Sequence, residues 1–90
     1  MTMILVADDQ QDLLAMISLT LQAADYTVIA AGDGLDALAI LKSQAVDLIL
    51  ADIAMPRMNG YQLYQRVREN ADWHMIPFIF LTARALDSDA

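Results

Sequence analysis

Two adjacent carboxylates, Asp8 and Asp9, a third at Asp52 and a hydroxyl at Thr82 each stand where a short apolar run stops. Oxygen side chains so placed are the groups that an α/β fold gathers at one edge of its sheet, outside the carboxyl ends of the strands. Three carboxylates held within a few ångströms repel one another, and partial burial penalises their charged forms further, so the cluster requires a compensating cation. Hard oxygen donors select Mg²⁺, with Mn²⁺ as a substitute. Asp9 and Asp52 are assigned as direct ligands, and Asp8 as a direct or water-mediated one. Once its charge is neutralised, a carboxylate can attack phosphorus and form an acyl phosphate, which marks Asp52 as the candidate nucleophile. The Thr82 hydroxyl and backbone amides after Asp52 would donate hydrogen bonds to the phosphoryl oxygens.

Each residue also has a plainer reading. An Asp after a strand caps a turn or helix, Asp8 or Asp9 could cap the first helix, and Thr82 could bond to nearby backbone. The company of the others decides for function at Asp52, and the metal reading outweighs the cap at Asp8 and Asp9, whereas Thr82 taken by itself reads as a strand-end hydroxyl. Gly60 is read as a position of unusual backbone angle and Pro56 as a loop stiffener, both structural. His74, beside Trp73 in a polar stretch, is discarded as a site, and the six Met residues are read as core and loop fillers. Arg57 and Arg84 flank the expected pocket and are read as solvated surface charge.

The elements that must position these groups follow from periodicity. The apolar run 3–7 lacks polar alternation, as a strand buried on both faces of a parallel sheet would. From 11 to 24, Leu14, Ile17 and Leu21 recur at helical spacing, widened by Leu13 and Met16. A strand at 26–31 closes on Gly32-Asp33-Gly34, a turn that offers Asp33 as a helix cap. The helix after it turns Leu35, Leu38 and Leu41 inward and ends near Ser43. A strand at 46–51 ends on Asp52, and 53–60, with Pro56, Asn59 and Gly60, reads as a loop. Leu63 and Val67 carry a third helical stripe, 77–81 is a fourth strand opened by Pro77, and a fourth helix begins at about 84–90. Strands alternating with helices predict a doubly wound α/β sheet in one domain.

Composition sets limits. Hydrophobic residues make up 58% of ninety, which excludes disorder, and a net charge of -7 argues against direct nucleic acid binding. Cations and basic protein surfaces are the expected partners. The absence of Cys excludes disulfides and thiolate metal sites. No apolar run approaches a membrane span and no basic leader precedes the first strand, so no membrane association and a cytoplasmic location are expected.

The pair Asp8-Asp9 after an apolar strand, the run 48–60 (Leu-Ile-Leu-Ala-Asp-Ile-Ala-Met-Pro-Arg-Met-Asn-Gly) and the later Phe80-Leu81-Thr82-Ala83 resemble the response-regulator receiver domain of two-component signalling. Three motifs in order at expected strand ends make the resemblance strong, and it covers essentially the whole chain. It implies a flavodoxin-like sheet of strand order 2-1-3-4, with Asp52 as phosphoacceptor and Asp8 and Asp9 as the acidic metal pair. It also implies that the backbone carbonyl of Ala54 completes the metal shell and that Thr82 is the switch hydroxyl. The implied donor is a phosphohistidine on a sensor histidine kinase or histidine phosphotransfer protein, and the acceptor domain assists its own phosphorylation and dephosphorylation rather than acting as an enzyme on other substrates.

Receivers also carry a fifth strand ending in a Lys, and a fifth helix. The chain's one lysine, Lys42, falls on the second helix, so 1–90 is expected to be a receiver incomplete at its C-terminus. Its fourth strand would then form an exposed edge through which copies could pair. A non-switching pseudo-receiver or assembly module that binds protein partners is the alternative function. An aspartyl-phosphate phosphatase is disfavoured, because the haloacid-dehalogenase type has a second Asp where this chain has Ala54.

Overall fold

The computed structural model describes residues 1–81. Seven elements alternate along the chain: β1 (Met3–Ala7), α1 (Gln11–Ala23), β2 (Thr27–Ala31), α2 (Gly34–Ser43), β3 (Leu48–Asp52), α3 (Gly60–Glu69) and β4 (Phe78–Leu81). The strands form one parallel sheet of order β2-β1-β3-β4, as the resemblance implied. The expected fourth helix and Thr82 lie outside the described residues.

The two faces of the sheet are covered unequally. Side chains alternate along a strand, and Leu5 and Ala7 of β1 join Ile49 and Ala51 of β3 in a cluster completed by Ala37, Leu38 and Leu41 of α2 and Leu63 and Val67 of α3. Fully burying a Leu or Ile contributes roughly 1.5–3 kcal/mol, so this face carries much of the fold's stability. Ile4 and Val6 are buried as well but belong to the opposite face, against which α1 packs. No residue of α1 is fully buried. Met16, expected in the apolar stripe, is exposed, and so is Leu35 in the first turn of α2, where Ala37 faces the core instead.

Helix ends account for the small boundary differences. α1 stops at Ala23 because Asp25 adopts a positive φ of 70°. There the Asp25 N–H is donated to the Gln22 carbonyl and the Tyr26 N–H to the Leu21 carbonyl. This is the paired-bond helix stop usually built on Gly, here made with Asp. Asp33 caps α2 as expected, accepting the Asp36 N–H at 2.9 Å. Asn59 and Gln62 form a reciprocal capping box at the start of α3. Beyond α3, Arg68 donates to the carbonyls of His74 and Ile76, both at 2.9 Å, tying the turn before β4 back to the helix. Among the described residues no helix is long and apolar enough to cross a membrane.

Candidate functional site

The register of the central strands builds the site. β1 and β3 pair with Ala7 opposite Ala51, so the next residue of each, Asp8 and Asp52, emerges at the same sheet edge. The Asp8 N–H extends the β1–β2 ladder by one step, donating to the Ala31 carbonyl at 3.0 Å. Asp8 Oδ1 then accepts the Gln10 N–H at 2.8 Å, turning the chain toward α1. Neither Asp8 nor Asp9 is the N-cap of α1; that position is Gln10, which makes no side-chain cap bond.

One carboxylate oxygen from each of Asp8, Asp9 and Asp52 lies within 4.8 Å of the other two. Asp8 and Asp52 are 1% and 3% exposed, whereas Asp9 faces solvent. Two unit charges about 4 Å apart repel by roughly 4 kcal/mol at the effective dielectric suited to protein sites. The donor set therefore suits a small hard cation: three carboxylate oxygens at one point, one open to solvent where water can complete the shell. Ala54 lines the same surface depression as Asp9, together with Ile53, Met55, Pro56, Asn59 and Tyr61. The structure thus brings Asp8, Asp9, Asp52 and Ala54 to one sheet edge, while Lys42 is exposed in the last turn of α2, on the groove between α2 and α3.

The loop after Asp52 is fastened at several points. The Gly60 N–H returns to the Ile53 carbonyl at 2.9 Å, and Met55 and Met58 are buried beneath the loop. Gly60 has an ordinary negative φ, so the unusual angle expected there is not its reason. A side chain at Gly60 would collide with the Asp52 carbonyl oxygen, so the residue is Gly because α3 starts against the end of β3. Gly34 is needed for a similar close approach: an added Cβ would meet Met58 Cγ and the Met58 carbonyl oxygen, each at 2.6 Å.

Arg57, read as solvated charge, is instead partnered. Its Nε donates to Asp33 Oδ2 at 2.6 Å and its Nη2 to Asp36 Oδ1 at 3.1 Å. The pairing holds the Asp33 carboxyl below the usual carboxylate range, and Asp33 raises Arg57 in turn. Arg57 has a positive φ of 63°, and the flanking Met58 N–H donates to the Pro56 carbonyl at 2.6 Å. A tight three-residue turn with positive φ at a non-glycine centre costs on the order of 1–3 kcal/mol. Sequence reading had one signal for this: Asp33 and Asp36 sit three apart at a helix start, on one face, ready for a fork-shaped cation.

The sequence model described as the response regulator receiver domain matches residues 4–90. A probable cyclic di-GMP phosphodiesterase of Vibrio cholerae is 41% identical over 86 residues, 96% of this chain and 19% of that protein. Response regulator GtcR of Aneurinibacillus migulanus is 36% identical over 96% of this chain and 34% of its own length. The chain therefore spans a fifth to a third of these curated relatives. Among solved structures, the chemotaxis response regulator CheY4 of Vibrio cholerae superposes with a TM-score of 0.86 at 32% identity, over 99% of this chain and 77% of that one.

Proposed function

The chain belongs to the response-regulator receiver family, and from that premise we propose that it is the phosphoacceptor domain of a two-component phosphorelay, formed by residues 1–90 and working in the cytoplasm. Receiver domains are signalling domains, and the role of this one is to take a phosphoryl group from the phosphohistidine of a sensor histidine kinase or histidine phosphotransfer protein. The Asp52 carboxylate attacks phosphorus, the P–N bond to the donor imidazole breaks, and the electron pair leaves with the imidazole nitrogen. Asp8, Asp9, Asp52 and the Ala54 carbonyl would hold Mg²⁺, or Mn²⁺ in its place. When bound, the cation offsets the charge of the carboxylates and of the incoming phosphoryl group. Thr82 would donate its hydroxyl to a phosphoryl oxygen, and the phosphorylated domain would relay the signal to an effector through a changed surface.

The observation that carries this reading is the convergence of Asp8, Asp9 and Asp52, two of them buried, at the carboxyl edge of the two central strands. A phosphatase using the same aspartyl phosphate is not favoured, since the position two residues after Asp52 is Ala54. Incubation with acetyl phosphate and Mg²⁺ followed by intact-mass measurement tests the proposal. One adduct of ~80 Da, the mass of one phosphoryl group, is expected for the wild type and none for Asp52→Asn. An adduct that persists in Asp52→Asn, or no adduct on the wild type, would overturn the assignment.

A further inference from the structure

The strained turn at Arg57 lies three residues beyond Ala54, in the same fastened loop, and its side chain reaches out of that loop to another element. Two guanidinium nitrogens grip Asp33 and Asp36 at the start of α2, and Asp33 is itself buried and fixed by its cap bond. Next to this grip the Gly34 N–H donates to the Met58 carbonyl at 3.0 Å. Residues 57 and 58 are thus held to α2 by three bonds, while the Gly60–Ile53 bond closes the base of the loop. Between these anchors Met55 and Met58 are buried and Pro56 has a fixed φ, so a shift at Arg57 has few ways to be absorbed before it reaches Ala54.

We propose that Arg57 is a positioning residue, a latch between the acceptor loop and the N-terminus of α2 that sets the affinity of the acidic cluster for a divalent cation. The proposal rests on the reading that Asp8, Asp9, Asp52 and the Ala54 carbonyl form a cation site. Mg²⁺ demands near-ideal octahedral geometry, so a backbone ligand held in place binds it better than one free to wander. Partners that orient a ligand in this indirect way change metal affinity about 10–100-fold when lost. Arg57 acts through several bonds, which places the expected effect at about 3–10-fold.

The sign of the effect separates a latch from plain electrostatics. Removing a positive charge near an acidic site would strengthen cation binding, whereas releasing the latch weakens it. Backbone strain is separated by choice of variant: Arg57→Ala keeps the unfavourable positive φ, Arg57→Gly relieves it, and Arg57→Lys keeps the charge without the two-pronged grip.

The experiment is a calorimetric titration of the full chain with Mg²⁺ alone, paired with thermal melts and with amide hydrogen exchange at Gly34. Arg57→Ala, Arg57→Gly and Arg57→Lys are each expected to bind Mg²⁺ about 3–10-fold more weakly than the wild type, with faster exchange at Gly34. Arg57→Gly is expected to melt above Arg57→Ala while sharing its weakened binding, a decoupling that a purely structural role would not produce. Wild-type affinity, or tighter binding, in both Arg57→Ala and Arg57→Gly overturns the latch and leaves the cation site standing. No Mg²⁺ binding by the wild type overturns the cation site, and the latch with it.

Discussion

At the scale of single residues, the acids of the site and the acids around it do different work. Asp8 and Asp52 are buried with Asp9 at the rim, and one oxygen of each lies close enough to the others to share a divalent cation. Asp33 is gripped by Arg57, and this pairing lowers its pKa. A carboxylate whose folded-state value lies below its unfolded value, about 3.9, stabilises the fold fully above that value. The contribution is lost as pH falls through the folded value. Asp33→Asn keeps an oxygen to cap α2 but removes the charge that Arg57 grips, so it isolates the pairing from the cap. Urea melts should show Asp33→Asn less stable than the wild type at pH 7, with the gap closing as pH drops below about 4. A gap that stays constant down to pH 3 would show that the ion pair contributes nothing and that shape alone distinguishes the variants. Asp8, Asp9 and Asp52 were legible because each ends an apolar run. The Arg57 pairing was not, because its partners lie 24 and 21 residues away and only the folded sheet brings the two loops together.

At the scale of elements, the strands were readable to within two residues, β3 starting at Leu48 rather than at 46, since runs without polar alternation have few other uses in a chain this size. Helix boundaries and faces were less so. The end of α1 carries no Gly, and Asp25 in the left-handed region gives little warning in composition alone. In α2 the Leu35, Leu38 and Leu41 spacing suggested one stripe, but a repeat of three drifts around a helix of about 3.6 residues per turn. The buried face is Gly34, Ala37, Leu38 and Leu41, the i, i+3, i+4, i+7 set, which leaves Leu35 exposed. The strongest cap is at α3, where the Gln62 N–H donates to Asn59 Oδ1 at 2.8 Å and the Asn59 N–H to Gln62 Oε1 at 2.9 Å. Losing an Asn cap costs about 1 kcal/mol. With a urea dependence of about 1 kcal/mol per molar for so small a domain, Asn59→Ala should lower the unfolding midpoint by about 1 M without changing the slope. An unchanged midpoint would mean that the start of α3 is held by Gly60 and Leu63 packing alone. A changed slope would mean that more than the cap has been disturbed.

At the scale of the whole molecule, a net charge of -7 is spread over a fold whose buried acids sit together at one edge. The described cations lie elsewhere: Lys42 and Arg66 in the groove between α2 and α3, Arg57 engaged with Asp33 and Asp36, and Arg68 at the turn before β4. Close carboxylates at the acidic edge favour a cation between them, and a ligand that binds only the folded state stabilises it. At a Mg²⁺ concentration ten times the dissociation constant, linkage gives about 1.4 kcal/mol. For a domain of this size that corresponds to a rise of about 6–11 °C in Tm. A chelator should reverse the rise, and Asp52→Asn should show less of it. Sodium chloride at matched ionic strength is the decisive control, because it screens the surface charge without entering a site of three carboxylates. If sodium chloride raises Tm as much as Mg²⁺ does, the stabilisation belongs to the overall charge. If Mg²⁺ alone raises it, and Asp8→Asn blunts the effect as Asp52→Asn does, the stabilisation belongs to the edge where β1 and β3 end.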